Sequence, residues 1–129
     1  MKNNEFEKYE AEAKEKWGST EAYQSYTART GNYSKEQWND LAAEMDSIMG
    51  QFALCMKNGN SPDSAEAQNL VKLLQNHITE HYYSCTNEIL AGLGQMYVAD
   101  ERFRTNIDKH ADGTAAFIRQ AISSLMSRP

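Results

Sequence analysis

The first 34 residues contain no valine, isoleucine or leucine, yet they hold Phe6, Tyr9, Trp17, Tyr23, Tyr26 and Tyr33 among many lysines and glutamates. Ordering such a segment costs roughly 1–2 kcal/mol per residue in backbone entropy. Without branched aliphatic side chains it has little apolar surface of its own to bury. It can fold only by laying its rings on something else. The aliphatic core candidates all lie further on, between residues 38 and 125. The chain therefore divides into residues 1–34, expected to be a ligand-responsive helical lid, and residues 35–129, expected to be a helical core. At 129 residues the two together suit one compact domain.

Helix signals dominate, and strand alternation is absent. A polar helix is expected from about Glu5 to Lys16, stopping near Gly18, with Ser19 or Thr20 capping a short one through Tyr23 and Tyr26. Ser34 and Gln37 form a capping-box pattern that opens the clearest helix. Its stripe is Trp38, Leu41, Met45, Ile48, Phe52 and Cys55 or Met56, and Gly59 is its expected stop. A helix from near Ser64 carries Ala67, Leu70, Val71, Leu74, Ile78 and Tyr82. Thr86 caps another through Leu90, Met96 and Tyr97, Asp100 opens a short one with Phe103 and Ile107, and Asp112 precedes the last. The prediction is an all-α, compact domain of about seven helices packed without a sheet.

Charge and motifs remove several function classes. The formal charge is -5, from 18 acidic against 13 basic residues, and the basic ones are scattered, which argues against this chain gripping nucleic acid itself. No apolar run approaches the ~20 residues of a membrane span. The N-terminus lacks the apolar stretch of a signal peptide, so a cytoplasmic location is expected, with Cys55 and Cys85 as reduced thiols. A Gly-rich phosphate loop, an HExxH motif and a Ser-His-Asp arrangement are all missing, so enzymatic activity is not expected.

The stretch richest in chemistry is His77-Ile78-Thr79-Glu80-His81-Tyr82-Tyr83-Ser84-Cys85-Thr86. On a continuous helix His77, His81 and Cys85 would fall on nearly one line. Eight helical residues span ~12 Å, however, so His77 and Cys85 cannot share an ion. At most two of the three could bind together, no obvious further ligand accompanies them, and no metal is expected. Cys85 precedes the expected cap Thr86, where the positive end of a helix favours a thiolate, and His81 could accept its proton. The competing reading is a buried, inert cysteine. Tyr82, Tyr83, Met96, Tyr97 and Phe103 cluster around Cys85 in sequence. Such a stripe is usually core, but an excess of tyrosine, seven in all, favours a semi-polar cleft.

Several segments carry a resemblance. EKWGSTEAY (15–23), YSKEQW (33–38), HYYSCTNE (81–88), GLGQMYVADERF (92–103) and DKHADGTAAFIRQAI (108–122) resemble the TipAS antibiotic-recognition domain of MerR-family transcription activators. The resemblance implies a globin-like fold without haem and no other cofactor. It implies a sensor of thiopeptides or other bulky antibiotics whose N-terminal part orders over the drug. Residues at the start of the lid would then trail the regulator's dimerising helix. In the family's thiopeptide sensor a cysteine reacts with a dehydroalanine of the drug, and Cys85 in HYYSCTNE occupies the similar position. The expected ligand-binding residues are Trp17, Tyr23 and Tyr26 of the lid with His77, His81, Tyr82, Tyr83, Cys85, Met96, Tyr97 and Phe103 of the core. MerR activators also carry an N-terminal winged helix-turn-helix, which this sequence does not include. DNA would be reached only through that absent half, and dimerisation is expected only in a full-length regulator. The rival expectation is a stand-alone protein that sequesters drug. A haem-binding globin, suggested only by helical content and the two histidines, ranks last.

Overall fold

The computed structural model describes residues 21–127, which form six α-helices. They are α1 (Glu21–Thr30), α2 (Lys35–Lys57), α3 (Ala65–His81), α4 (Asn87–Ala99), α5 (Glu101–Asp108) and α6 (Thr114–Met126). No strand occurs among the described residues. The helix expected over Glu5–Lys16 lies outside them.

Side-chain caps fix most of the helix starts. The Ser34 capping box closes in both directions: the Gln37 N–H donates to Ser34 Oγ at 3.1 Å, and the Ser34 N–H donates to Gln37 Oε1 at 2.8 Å. Ser64 accepts from the Ala67 N–H, Thr86 from Ile89 and Asp100 from Arg102, each satisfying an otherwise orphaned donor. α2 ends where Gly59 turns to a φ of 86°. There the Asn60 N–H reaches back to the Cys55 carbonyl and the Gly59 N–H to that of Met56, a Schellman ending. Asp112 precedes the last helix, as expected; Gly113, at a φ of 90°, stands at its N-cap and offers no side chain. Asp108, at the end of α5, instead accepts from the Ala115 N–H at 2.8 Å.

α6 is the centre of the fold, packing against α2, α3, α4 and α5. Phe52, Val71, Leu74, Leu90, Ile118 and Ile122 are fully enclosed there. α4 and α6 approach closely, and a Cβ on Gly94 would meet Ile122 Cδ1 at 3.1 Å. Gln68 is buried in the same core, and its Nε2 donates to the carbonyls of Pro62 and Ala121, tying α3 to α6. No described helix is long and apolar enough to cross a membrane.

Candidate ligand-binding site

The site is organised by the C-terminal end of α3. A helix end leaves its last carbonyls without intrahelical partners. Here they are met from outside: the Arg29 guanidinium of α1 donates to the Thr79 carbonyl, and the Tyr33 hydroxyl donates to the His81 carbonyl at 2.5 Å. A cation at this end also opposes the helix dipole. α1 and the turn after it are therefore fastened to the core by polar contacts to one helix terminus.

Aromatic rings fill the space beside that terminus. Ser34 at the N-cap places Tyr33 just before α2 and Trp38 at its fourth position, the spacing of a hydrophobic staple, and their ring centroids lie 5.4 Å apart, edge to face. Trp38 also meets Tyr82 at 6.0 Å and Tyr26 at 6.3 Å. Tyr26 in turn meets Tyr83 edge-on at 6.4 Å. Of the segment without branched aliphatic residues, Tyr26 thus rests on Tyr83 and Trp38, and Tyr33 on Trp38. Trp38 is the hub of this cluster. Trp17 and the side chain of Tyr23 lie outside the described residues.

The helix stops at His81, so Cys85 is not on a line with His77 and His81. This corrects the expectation of a continuous helical line. Residues 82–86 turn away, and Cys85 is buried in the core. Its backbone N–H donates to Thr79 Oγ1 at 3.1 Å, and its carbonyl accepts from Gln75 Nε2 at 2.8 Å. Burial pushes the Cys85 thiol up to about 11, so the effect of the α4 N-terminus does not prevail and the resting side chain is a thiol. Tyr82 is pushed up to about 12, first by burial and then by the neighbouring Tyr26 and Tyr33. Tyr83 is raised further by burial, then by Cys85 and Tyr26. Tyr97 is enclosed in the core, its ring 6.1 Å from Phe103, with Met96 packed at the core's edge. Tyr26, Tyr82, Tyr83 and Cys85 are brought together; Tyr97 backs them from within.

The two histidines face a different recess. An open groove of about 320 Å³ runs between α2 and α3, lined by Glu44, Ser47, Ile48, Gln51, Leu73, Asn76, His77, Glu80 and His81. The His77 and His81 rings are 5.0 Å apart, and His77 also meets Tyr82 at 5.6 Å, so the groove adjoins the aromatic cluster. Burial, reinforced by His81, lowers the His77 pKa against the opposing pull of Glu44 and Glu80, leaving a neutral imidazole. Trp38 and Tyr33 were not among the site residues expected from sequence, and neither was Glu44. The Tyr33/Trp38 staple spacing was the available signal for the first two; nothing in the sequence pairs Glu44 with α3.

Comparison with known proteins decides the family. The TipAS antibiotic-recognition domain matches residues 9–124. The chain belongs to the TipAS family. It is 38% identical over 116 residues to the HTH-type transcriptional activator TipA of Streptomyces coelicolor, covering 90% of this chain and 46% of that protein. It is 45% identical over 94 residues to the HTH-type transcriptional activator mta of Bacillus subtilis, covering 73% of this chain and 36% of that one. The TipAS-family chain thus spans less than half the length of these curated relatives. The TipAS of Streptomyces lividans, solved in complex with nosiheptide as part of a thiopeptide antibiotic multidrug resistance system, superposes with a TM-score of 0.82 at 36% identity. That match covers 95% of this chain and 87% of the other. The antibiotic-binding domain of a TipA-class multidrug resistance transcriptional regulator matches with a TM-score of 0.61 at 34% identity, covering 69% of this chain and 97% of the other. The all-α architecture expected from sequence is the fold of this TipAS-family member.

Proposed function

We propose that this chain is the effector-binding domain of a transcriptional activator and recognises bulky antibiotics such as thiopeptides. One observation carries the reading: Tyr26, Tyr33 and Trp38 converge on Tyr82 and Tyr83, three residues from Cys85 at most. An aromatic seam beside a nucleophile suits a large, flat, partly apolar guest. The nosiheptide-bound relative supports the same ligand class. Residues 1–34 act as the lid, and the drug adds apolar surface for it to close upon. Ordering of the lid would carry occupancy toward the DNA-binding part of a longer regulator, in which dimerisation would also reside.

Capture is covalent where the drug carries a dehydroalanine. The Cys85 sulfur bonds to the β-carbon of the alkene, the π electron pair moves to the α-carbon, and that carbon takes up a proton equivalent to the one the thiol gives up. Nothing leaves, and no oxidant is needed. Because the thiol is buried and protonated at rest, the drug must first open a way to it. Mass spectrometry of the protein mixed with thiostrepton tests both levels. The expected result is a one-drug mass gain, noncovalent under native conditions and partly retained on denaturation. Cys85→Ser should abolish only the retained part, and Cys55→Ser should change neither. No mass gain under native conditions would refute the drug-binding reading.

A further inference from the structure

The geometry points to a divalent transition-metal site made by Glu44, His77 and His81, binding an ion of the zinc class with at least one coordination position left open. His77 and His81 stand one turn apart on α3, the spacing that lets two imidazoles reach a single ion. Glu44 comes from α2 across the groove and supplies the third ligand that the sequence of α3 lacks. One ligand atom from each of the three lies within 4.8 Å of the others, and Glu44 Oε1 is 3.9 Å from His77 Nδ1. A tetrahedral ion with bonds of ~2.0–2.2 Å needs its ligand atoms at about 3.3 Å from one another, so the set must close by roughly an ångström. Glu44 can provide that movement, since its side chain is 58% exposed and turns on a flexible stem.

The second observation is inside the histidine itself. The His77 side chain is 95% buried, and its Nε2 has no hydrogen-bond partner among the described residues. Enclosure holds the ring with Nδ1 toward Glu44 Oε1, so an ion there binds Nδ1 and leaves the ring proton on Nε2. The groove in front has room for an ion with a bound water or ligand atom. Two imidazoles and one carboxylate favour zinc-like ions over calcium or magnesium, which prefer all-oxygen ligands. Cys85 takes no part, because the chain has left the helix before reaching it. An ion held by His81 would also stiffen the α3 terminus that receives the Tyr33 hydroxyl.

Calorimetric titration of tag-free, chelator-treated protein with zinc chloride tests the site without any drug, so its outcome is independent of the antibiotic-binding reading. The expected result is one zinc per chain and a raised thermal midpoint. Glu44→Gln and His81→Ala should each weaken binding by at least about tenfold. His110→Asn, which removes the remaining histidine next to Asp46, should leave the affinity unchanged. Absence of binding up to ~100 μM zinc, a free-energy ceiling of about 5.5 kcal/mol, would overturn the proposal. So would unchanged affinity in either Glu44→Gln or His81→Ala. Glu44 is a surface residue, so its variant is expected to fold normally.

Discussion

The Tyr33 hydroxyl donates to the backbone carbonyl of His81 at 2.5 Å, joining the aliphatic-free segment to the last residue of α3. The acceptor is an orphaned helix-terminal carbonyl, so the contact exists because α3 stops where it does. Tyr33→Phe keeps the ring against Trp38 and removes only the donor. The expected cost is about 1 kcal/mol in denaturant unfolding. Amide exchange should quicken in α1 and remain unchanged in α6. Equal acceleration in both would show that α1 is no separate layer.

Trp38 touches Tyr26, Tyr33 and Tyr82, so it bears the whole seam. Trp38→Ala should destabilise the domain by about 3 kcal/mol, whereas Trp38→Phe should lose roughly 1 kcal/mol. Thiopeptide affinity should fall far more in the alanine variant than in the phenylalanine one. Thermal melts and drug titrations of both variants check this.

Cys85 is closed off by burial, which pushes its thiol up to about 11. Alkylation by iodoacetamide without drug should be slow at neutral pH and climb about tenfold per pH unit, following the thiolate fraction. A plateau near the ordinary thiol value would mean an open thiol. The same shift has a stability consequence whose sign is fixed by proton linkage. The folded chain keeps a proton that the unfolded chain gives up, so stability is full below the ordinary thiol value of 9.0 and declines as the pH rises through about 11. Tyr82, pushed up to about 12, acts in the same direction above its ordinary value of 10.0. Urea midpoints should therefore fall steadily above pH 9, and Cys85→Ala should blunt the earliest part of that fall.

Gly94 lets α4 approach α6. In Gly94→Ala the new methyl would meet Ile122 Cδ1 at 3.1 Å and Arg119 Cα at 3.6 Å. Alanine's helix preference is worth about 1 kcal/mol, and overpacking costs ~1–3 kcal/mol. Ile122 is enclosed and has little room to yield, so a net loss of about 1 kcal/mol is expected from chemical denaturation.

The helix frame was legible because its signals are local. The Ser34–Gln37 box, the Gly59 stop and the Ser64, Thr86 and Asp100 caps each act within a few residues of their partners. That Tyr26 and Tyr33 rest on rings outside their own segment agrees with the composition of that segment. The particular partners were not legible. That Tyr26 meets Tyr83, that Asp108 caps α6 and that Glu44 faces His77 all depend on how helices far apart in sequence cross. α3 ends at His81, four residues short of Cys85, so Cys85 leaves the histidine line. Of the two readings of Cys85, burial favours the enclosed thiol over the helix-stabilised thiolate, since desolvation outweighs a half-charge at a helix end.

Tyr26, Tyr33 and Trp38 with Tyr82 and Tyr83 are proposed as one drug-binding seam. A two-dimensional ¹⁵N–¹H spectrum of the labelled chain, recorded with and without thiostrepton, tests it most directly. The predicted result is large shifts at Tyr26, Tyr33, Trp38, Tyr82, Tyr83 and Cys85, while α6 stays nearly unmoved. A spectrum unchanged by saturating drug, or shifts confined to residues away from that seam, would contradict the account.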